Sequence, residues 1–215
     1  MPNLEHTNQT FLVLSGAHGD EQEVIQCVRE YVSHNREKLG AFVYIPEISP
    51  TAVRNRTREN AFGNDVNRSF VDTTGDPEAR ALMEKLRSYR FDLCFDFHED
   101  PDLEADFYMY DSGKLSEQEL QRFRTEIQSM GAHLYTGIDT STDVNLGFSL
   151  EQGYASVPQE TMSQSSGFLD KWLLDCGLVK RIFTLEIPGK APLEQKRALV
   201  HALFSFFLTM PPANS

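Results

Sequence analysis

The sequence predicts an α/β fold in which helices flank both faces of a mixed, largely parallel central sheet in a compact arrangement. Short apolar runs at residues 10–14, 41–45 and 91–97 have the length and composition of buried strands. Segments of helical periodicity lie between these runs, and alternating strands and helices are typical of this class. With 215 residues the chain is long enough for one sizeable core, so we expect a single domain over residues 1–215.

Capping residues and apolar periodicity mark the predicted helices. A helix begins at Glu21, because apolar side chains recur on one face after it. Asp76 followed by Pro77 predicts a helix that ends near residue 89, and Ser116 predicts another that ends near residue 130. A helix, a strand and a helix then close the chain, at about residues 167–176, 180–187 and 192–208.

Two segments show no regular pattern. Residues 47–75 are rich in Arg, Asn, Thr and Gly without sustained periodicity, which predicts one long loop of the kind that often carries function. Residues 137–167 are rich in Ser, Thr, Gly and Gln and permit no assignment. A short apolar run at 107–110 is a candidate for one more strand.

Composition and charge exclude several classes of protein. The chain is 40% hydrophobic and 24% charged, which is ordinary for a soluble globular protein. A formal net charge of −12 argues against a nucleic-acid partner, because binding phosphates needs a basic face. The N-terminus lacks the layout of a secretion signal, and no apolar stretch reaches membrane-spanning length. Three cysteines in apolar surroundings are interpreted as buried free thiols, so we expect a cytoplasmic location: Cys27, Cys94 and Cys176.

Three residues have the character of metal ligands. His18 follows the first predicted strand, and Glu21 lies three residues later, so both side chains can face one ion. His98 ends the strand at 91–97, at the sheet edge where ligands collect in open α/β sheets. Two imidazole nitrogens and one carboxylate oxygen are a ligand set that Zn²⁺ takes at catalytic sites, with the fourth position open for water. We therefore expect one Zn²⁺ per chain.

A second motif occupies residues 58–70, which read Arg-Glu-Asn-Ala-Phe-Gly-Asn-Asp-Val-Asn-Arg-Ser-Phe. This segment resembles the Arg-x-Asn-x-x-Gly-x-Asp-Leu-Asn-Arg-x-Phe segment of the zinc carboxypeptidase family. The order His-x-x-Glu, Asn-Arg, His and a late Glu resembles the same family, including its aspartoacylase and succinylglutamate desuccinylase branch and the murein peptide amidases. Val66 in place of Leu is a mild departure that should preserve packing.

The resemblance implies a role for each residue of this segment. Asn67 and Arg68 would grip a substrate carboxylate, since the planar guanidinium binds a carboxylate through two hydrogen bonds. Arg58 would polarise the scissile carbonyl or hold the anion, and Asp65 would accept the second N–H of His18. The neighbouring Arg54 and Arg56 are instead expected to be solvated surface residues, although the three arginines together form a positive spot in an acidic protein.

The resemblance also implies a general base. Glu186 lies near the end of an apolar strand, where burying a carboxylate requires a cation or a proton. It would take a proton from zinc-bound water during attack on a carbonyl and pass it to the leaving amine. Asp96 is expected to orient neighbouring loops outside the site. The family's mobile tyrosine has no clear counterpart: Tyr154 is the nearest candidate, and Tyr110 and Tyr135 stay open.

The resemblance leaves three functions to compare. The preferred one is a zinc hydrolase, like a carboxypeptidase, that cleaves an amide beside the free carboxylate of a short peptide. The alternatives are a deacylase of N-acylated amino acids and a zinc-binding module without turnover. Glu99 and Asp100 follow His98 directly, which suggests as a hypothesis that the substrate carries a cationic group. A C-terminal β domain, usual in the aspartoacylase branch, is not expected, and the oligomeric state stays open.

Overall fold

Nine strands and six helices form the described part of the protein. The computed structural model describes residues 9–139, 147–164 and 167–210. The strands are β1 (Thr10–Ser15), β2 (Ala41–Ile45), β3 (Phe91–Asp100), β4 (Asp106–Asp111), β5 (His133–Leu134), β6 (Gly137–Ile138), β7 (Ser149–Leu150), β8 (Tyr154–Ser156) and β9 (Val179–Pro188). The helices are α1 (Gln22–Asn35), α2 (Pro50–Asn55), α3 (Pro77–Leu86), α4 (Glu117–Ser129), α5 (Leu169–Asp175) and α6 (Leu193–Leu208).

The capping residues act as their types predict. The Asp76 side chain accepts hydrogen bonds from the backbone N–H groups of Glu78 and Ala79, and Pro77 occupies the first turn of α3. Ser116 and Glu119 form a capping box at the start of α4. These local interactions explain why both helices begin where the sequence predicts.

The central sheet has the strand order β2-β1-β3-β9-β4-β5, and β8 pairs with β4 beside β5. Only the β4·β9 pair is antiparallel among the named strands of this sheet. The strands β6 and β7 form a separate antiparallel pair. The predicted class, an α/β fold with a mixed and largely parallel sheet, is therefore confirmed.

Each face of the sheet is covered by helices, as predicted. On one face, phenylalanines of β3 and β9 pack against α1, α4 and α6, and this cluster includes Phe95, Phe183 and Phe207. On the other face, α3 and α5 pack on Leu12 and Leu14 of β1. That second face is apolar only in part, because its strands also carry the polar side chains of the candidate site.

Two local predictions are wrong or incomplete. The segment 47–75 is not one continuous loop: it contains α2 and a 3-10 turn at Val66–Arg68. Its helix begins at Pro50 and ends in a left-handed residue, Arg56, and is too short for periodicity to reveal it. Cys27 and Cys94 are buried free thiols as expected, whereas Cys176 is exposed.

Within the described residues, no helix combines the length and apolar composition that crossing a membrane requires.

The register of the sheet positions the candidate site. His98 of β3 is the Cα partner of Glu186 on β9, and Glu186 is the partner of Tyr108 on β4. Strand β3 runs two residues beyond His98, so His98 lies inside the strand rather than at its end. His18 follows β1, the neighbour of β3 on its other side. Chemically active side chains from four adjacent segments therefore meet at one edge of one sheet face.

Candidate metal centre

The side chains of His18, Glu21 and His98 meet in the interior. All three residues are buried, and one ligand atom of each lies within 4.8 Å of those of the other two. Glu21 occupies the N-cap position of α1, so the turn between β1 and α1 carries two of the three groups. Gly19 is required in this turn, because a Cβ there would lie 1.8 Å from the carbonyl oxygen of Ala52.

The two imidazoles are oriented in the same way. His18 Nδ1 lies 2.6 Å from Glu21 Oε1, and His98 Nδ1 lies 3.3 Å from Glu21 Oε2. Each ring turns its other nitrogen to an aspartate: His18 Nε2 lies 3.1 Å from Asp65 Oδ1, and His98 Nε2 lies 3.2 Å from Asp96 Oδ2. Both Nδ1 atoms and the Glu21 carboxylate therefore face one common point, with a carboxylate behind each ring.

The position of Asp96 corrects the sequence interpretation. Asp96 does not orient loops outside the site; it is 1% exposed and lies beside His98. Because side chains alternate along a strand, Asp96 and His98 share one face of β3. Asp96 thus stands behind His98 as Asp65 stands behind His18. A carboxylate in this position fixes the tautomer and the orientation of a metal-bound imidazole.

Several buried polar atoms of this cluster lack a hydrogen-bond partner within the described structure. They are Glu21 Oε2, His98 Nε2, both carboxylate oxygens of Asp96 and Oδ1 of Asp170. The contacts of 3.2 and 3.3 Å that His98 makes with Asp96 and Glu21 are close charge contacts that lack hydrogen-bond geometry. Asp170 belongs to α5 and accepts a hydrogen bond from the hydroxyl of Thr184. Unpartnered polar atoms are costly in a protein interior. The donor set and the orphaned Glu21 oxygen fit a bound divalent cation.

The electrostatics of the cluster favour positive charge. Burial by itself lowers the pKa of His98, but the carboxylates of Asp96 and Glu21 outweigh it and raise that pKa well above its usual range. The pKa of His18 is also raised, since Glu21 and Asp65 outweigh the effect of burial. The two histidines in turn hold the pKa of Glu21 at about 2 against burial. The field that retains protons on these rings would equally attract a metal cation, with release of the protons.

Glu186 stands next to this cluster on β9. Burial and the nearby Glu21 carboxylate raise the pKa of Glu186 to about 8, although His98 acts in the opposite direction. Its side chain lines a cavity of about 760 Å³ that also contains the His18, Glu21 and His98 groups. A carboxyl group with a pKa near neutrality can both accept and donate a proton at working pH. The structure therefore brings Glu186 to the place where the sequence predicts a base.

The predicted clamp residues line the same cavity. Asp65 connects them to the cluster, since its Oδ1 lies 3.1 Å from His18 and its Oδ2 accepts a 2.9 Å hydrogen bond from Arg58. Burial raises the pKa of Asp65, but His18 and the two arginines hold it far below its usual range. The guanidinium of Arg68 lies 3.8 Å from the ring centre of Phe168. A flat aromatic face under a guanidinium fixes its plane.

Asn67 is buried at the floor of the clamp. Its side-chain carbonyl accepts a hydrogen bond from the backbone N–H of Leu169, which ties the clamp to the start of α5. Its backbone N–H donates to Asp65, which caps the 3-10 turn. The Nδ2 group is thus the part of the Asn67 side chain suited to a ligand's oxygen atoms. Arg54 and Arg56 are exposed and do not line the cavity, as predicted for surface residues.

The candidate tyrosines differ in whether they line the cavity. Tyr154, the candidate nearest in the sequence interpretation, does not reach the cavity: its hydroxyl donates to Asp111 and accepts from the backbone N–H of Leu115. Tyr110 and Tyr135 line the cavity. So does Tyr108, which sequence reasoning missed. The antiparallel pairing of β4 with β9 places Tyr108 beside Glu186, and no local pattern predicts that pairing.

Glu99 also departs from the sequence hypothesis. Its carboxylate accepts hydrogen bonds from the buried ammonium group of Lys196 and from the backbone N–H of Val24. The Glu99 charge is thus neutralised on the face of β3 opposite to His98. Asp100 returns to the cavity side, where it accepts a hydrogen bond from Tyr108. Glu99 also lines the cavity, but Lys196 compensates its carboxylate, so of the two acidic residues that follow His98 it is Asp100 that supplies charge there.

Known proteins resemble this chain in structure rather than in sequence. No family model matches it, and no curated protein sequence matches it. A proposed metallopeptidase of Shewanella amazonensis is similar with a TM-score of 0.73 at 20% identity, over 99% of this chain and 81% of that one. A metallo-carboxypeptidase of Burkholderia cenocepacia has a TM-score of 0.60 at 18% identity, over 95% of this chain and 57% of that one.

A third similar structure is a succinylglutamate desuccinylase of Silicibacter sp. TM1040, with a TM-score of 0.58 at 16% identity, over 93% of this chain and 56% of that one. The chain thus spans little more than half the length of the carboxypeptidase and of the desuccinylase. At these identities the likeness concerns the fold. The chain shares the fold of these metallopeptidase and metallo-carboxypeptidase structures, which agrees with the resemblance seen in the sequence motifs.

Proposed function

We propose that this protein is a zinc-dependent hydrolase that cleaves an amide bond beside a free carboxylate, as carboxypeptidases do on short peptides. One observation carries the proposal: a buried His-Glu-His cluster with an unpartnered carboxylate oxygen lies in one cavity with a carboxyl group and two arginines. The similar structures named as a metallopeptidase and a metallo-carboxypeptidase support it.

In the proposed reaction His18, Glu21 and His98 hold Zn²⁺, the ion that a mixed His/Glu set favours. When bound, Zn²⁺ supplies Lewis-acid chemistry, which polarises a carbonyl oxygen and lowers the pKa of water. Asp65 and Asp96 orient the two imidazoles from behind. The buried positions of all three ligands keep them in one geometry before a substrate arrives.

The remaining residues act on the substrate. Glu186 accepts the proton of the attacking water and then donates it to the nitrogen of the leaving amine. Arg68 and the Nδ2 group of Asn67 bind the free carboxylate, and Arg58 stabilises the negative charge that develops on the carbonyl oxygen. The raised pKa of Glu186 suits this double role, because the same group must take up and release a proton.

A deacylase of N-acylated amino acids is the second candidate. It would use the same residues, and the similar structure named as a succinylglutamate desuccinylase favours it. The two functions differ in the acyl half of the substrate, which is a peptide residue in one and a simple acid in the other. We also propose a cytoplasmic location, because the three cysteines are free thiols and a reducing compartment preserves such thiols.

The test compares wild-type protein with Glu186→Gln on metal content and on hydrolysis. We expect one zinc per chain in both, and a decrease of kcat by about a hundredfold or more in the variant, because the base is lost while the ligands stay. The exposed Glu84 of α3 offers a control, Glu84→Gln, that should behave as wild type.

The substrate panel consists of short peptides and N-acylated amino acids, each with a free and an amidated C-terminus. Cleavage of the free peptides alone supports the carboxypeptidase-like function, and release of small acids alone supports the deacylase. A Glu186→Gln variant that is as active as wild type would contradict the role of Glu186. If the wild-type protein binds zinc but cleaves no member of the panel, the result supports the third candidate function, a zinc-binding module without turnover.

A further inference from the structure

The cavity has two chemically different halves on either side of Glu186. On one side, Asp65 links the arginine clamp to His18. On the other side, Tyr108 and Tyr110 stand on β4, which lies beyond β9 in the strand order. A substrate that spans the reaction centre must therefore place one end in the clamp and the other end against β4.

Aromatic rings line the half beside β4. Tyr108 and Tyr110 meet edge to face, with ring centres 5.6 Å apart and an interplanar angle of 80°. Tyr135 lies 5.6 Å from Tyr108, and Phe148 lies 5.8 Å from Tyr110. Rings at such angles surround a concave space instead of stacking on one another. The faces of these rings carry partial negative charge, which attracts cations.

Two carboxylates complete this half. The hydroxyl of Tyr108 donates a 2.9 Å hydrogen bond to Asp100 Oδ2, and the hydroxyl of Tyr110 donates a 2.5 Å hydrogen bond to Asp139 Oδ2. These bonds hold both carboxylates at the wall of the cavity, next to the rings. Asp100 forms no ion pair with a lysine or arginine among the described residues. Its negative charge is thus available to a bound cation.

We infer that Tyr108, Tyr110, Asp100 and Asp139 form a subsite for an ammonium group on the acyl half of the substrate. The inference rests on the proposed function, in which the clamp takes the carboxylate of the other half. The substrates are therefore zwitterionic, with a carboxylate on the amine side of the scissile bond and a primary ammonium group on its carbonyl side. Neutral or acidic acyl groups are poor ligands of this subsite.

Binding tests the subsite without any turnover. The probes are ω-amino carboxylates of increasing chain length, each compared with the alkanoate in which a methyl group replaces the ammonium group. We expect the metal-loaded wild type to bind the best amino carboxylate about tenfold or more tightly than its alkanoate, since a cation held by rings and carboxylates gains affinity on this scale. Equal binding of the two members at every length would overturn the inference.

Variants locate the preference in the structure. The double variant Asp100→Asn/Asp139→Asn should lose most of the preference for ammonium while alkanoate binding stays the same. The exposed Glu104, just beyond the cavity wall, provides the control Glu104→Gln, which should keep the preference. If the double variant does not fold, the comparison of Tyr110→Phe with wild type takes its place. A preference that survives in the folded double variant would place the ammonium group elsewhere.

Hydrolysis separates this inference from the proposed function. Matched amides with the same C-terminal amino acid carry either an ammonium or a methyl group at the end of the acyl half. A higher kcat/KM for the ammonium member in wild type, reduced about tenfold or more in the double variant, supports both proposals. Equal cleavage of both members contradicts the subsite alone. Selective binding of amino carboxylates without cleavage of any amide contradicts the proposed function alone.

Discussion

Two consecutive residues of β3, His98 and Glu99, belong to buried polar clusters of opposite character. Glu99 and Glu23 pair with the ammonium group of Lys196, which also donates to the carbonyl oxygen of Gly189. On the other face, His98, Glu21 and Asp96 retain polar atoms without a hydrogen-bond partner in the described structure.

The difference teaches what distinguishes a buried cluster whose charges are paired from one that could hold an ion. In the Lys196 cluster the ammonium group compensates the buried Glu99 carboxylate, and the Glu23 carboxylate is exposed to solvent, so no further ligand is needed. In the His98 cluster negative charge and unpartnered atoms remain, and such an arrangement costs free energy unless a cation or protons compensate it. The first cluster joins α6 to the end of β3, and the second could hold a metal ion.

The largest expected effect is that of His98→Ala. Removal of one ligand should abolish zinc binding at stoichiometric concentrations and reduce hydrolysis below detection. Zinc at a thousandfold excess over its Kd should stabilise the wild type by about 4 kcal/mol, and this stabilisation should disappear in the variant. Thermal unfolding with and without zinc, together with metal content, checks the prediction.

The exposed His133 provides the control, since His133→Ala should leave zinc binding unchanged. If zinc stabilises His98→Ala as much as it stabilises the wild type, His98 is not a zinc ligand and the proposed metal centre is wrong.

The next largest effect is a loss of folding stability when the Lys196 cluster is disrupted. Lys196→Met should destabilise the protein by about 3–5 kcal/mol, because it leaves the Glu99 carboxylate buried without its cation. Urea unfolding measures the difference. Lys190 lies near the same turn but is exposed, so Lys190→Met should cost less than about 1 kcal/mol. Similar small losses in both variants would show that the Lys196 cluster contributes little to stability.

The variant Asp96→Asn tests the role of the carboxylate that lies behind His98 in the proposed metal centre. We expect a decrease in zinc affinity by about ten- to a hundredfold, because the carboxylate no longer orients His98. The metal-free variant should be less stable than the metal-free wild type, because it loses the buried carboxylate that pairs with a protonated His98. Competition with a chelator and urea unfolding give the two values.

Asp92, earlier on the same strand, pairs with Lys180 outside the cavity and offers the control Asp92→Asn. An Asp96→Asn protein that binds zinc as tightly as wild type would mean that Asp96 serves the fold rather than the metal.

The smallest effect lies in the loop that carries the clamp. Asp76 caps α3 and binds the side chains of Asn60 and Asn64. Burial alone would raise its pKa, but these hydrogen bonds lower it below its ordinary value of 3.8. Asp76→Ala should therefore cost about 1 kcal/mol at neutral pH.

The sign of its pH dependence follows from linkage. A carboxyl group whose pKa is lowered by folding stabilises the protein above its ordinary pKa, and this contribution is lost as the pH falls through the folded-state value. The difference between wild type and Asp76→Ala should thus be constant near neutral pH and shrink below pH 3.8. Urea unfolding over this range measures it, and a difference that grows in acid would contradict the assignment.

Much of the site was predictable because its parts are local. His18 and Glu21 are three residues apart, and the turn between them brings both side chains to one point. Asp65 and Asn67 belong to one capped 3-10 turn. Asp96 also left a signal in the sequence, because alternation along a strand puts it on the face of His98. The misinterpretation arose because the predicted strand ended at residue 97, whereas β3 continues to Asp100.

The sequence by itself determined the fold class, the starts of the capped helices and the candidate metal and clamp residues, since apolar period, capping and short motifs act over a few residues. Only the tertiary structure decided which distant groups meet them. Asp170 reaches the cluster from α5, and Tyr108 reaches Glu186 because β4 runs antiparallel beside β9. The order and direction of strands depend on packing across the whole sheet, so no local pattern contains them. The arrangement of the two halves of the cavity follows from that order.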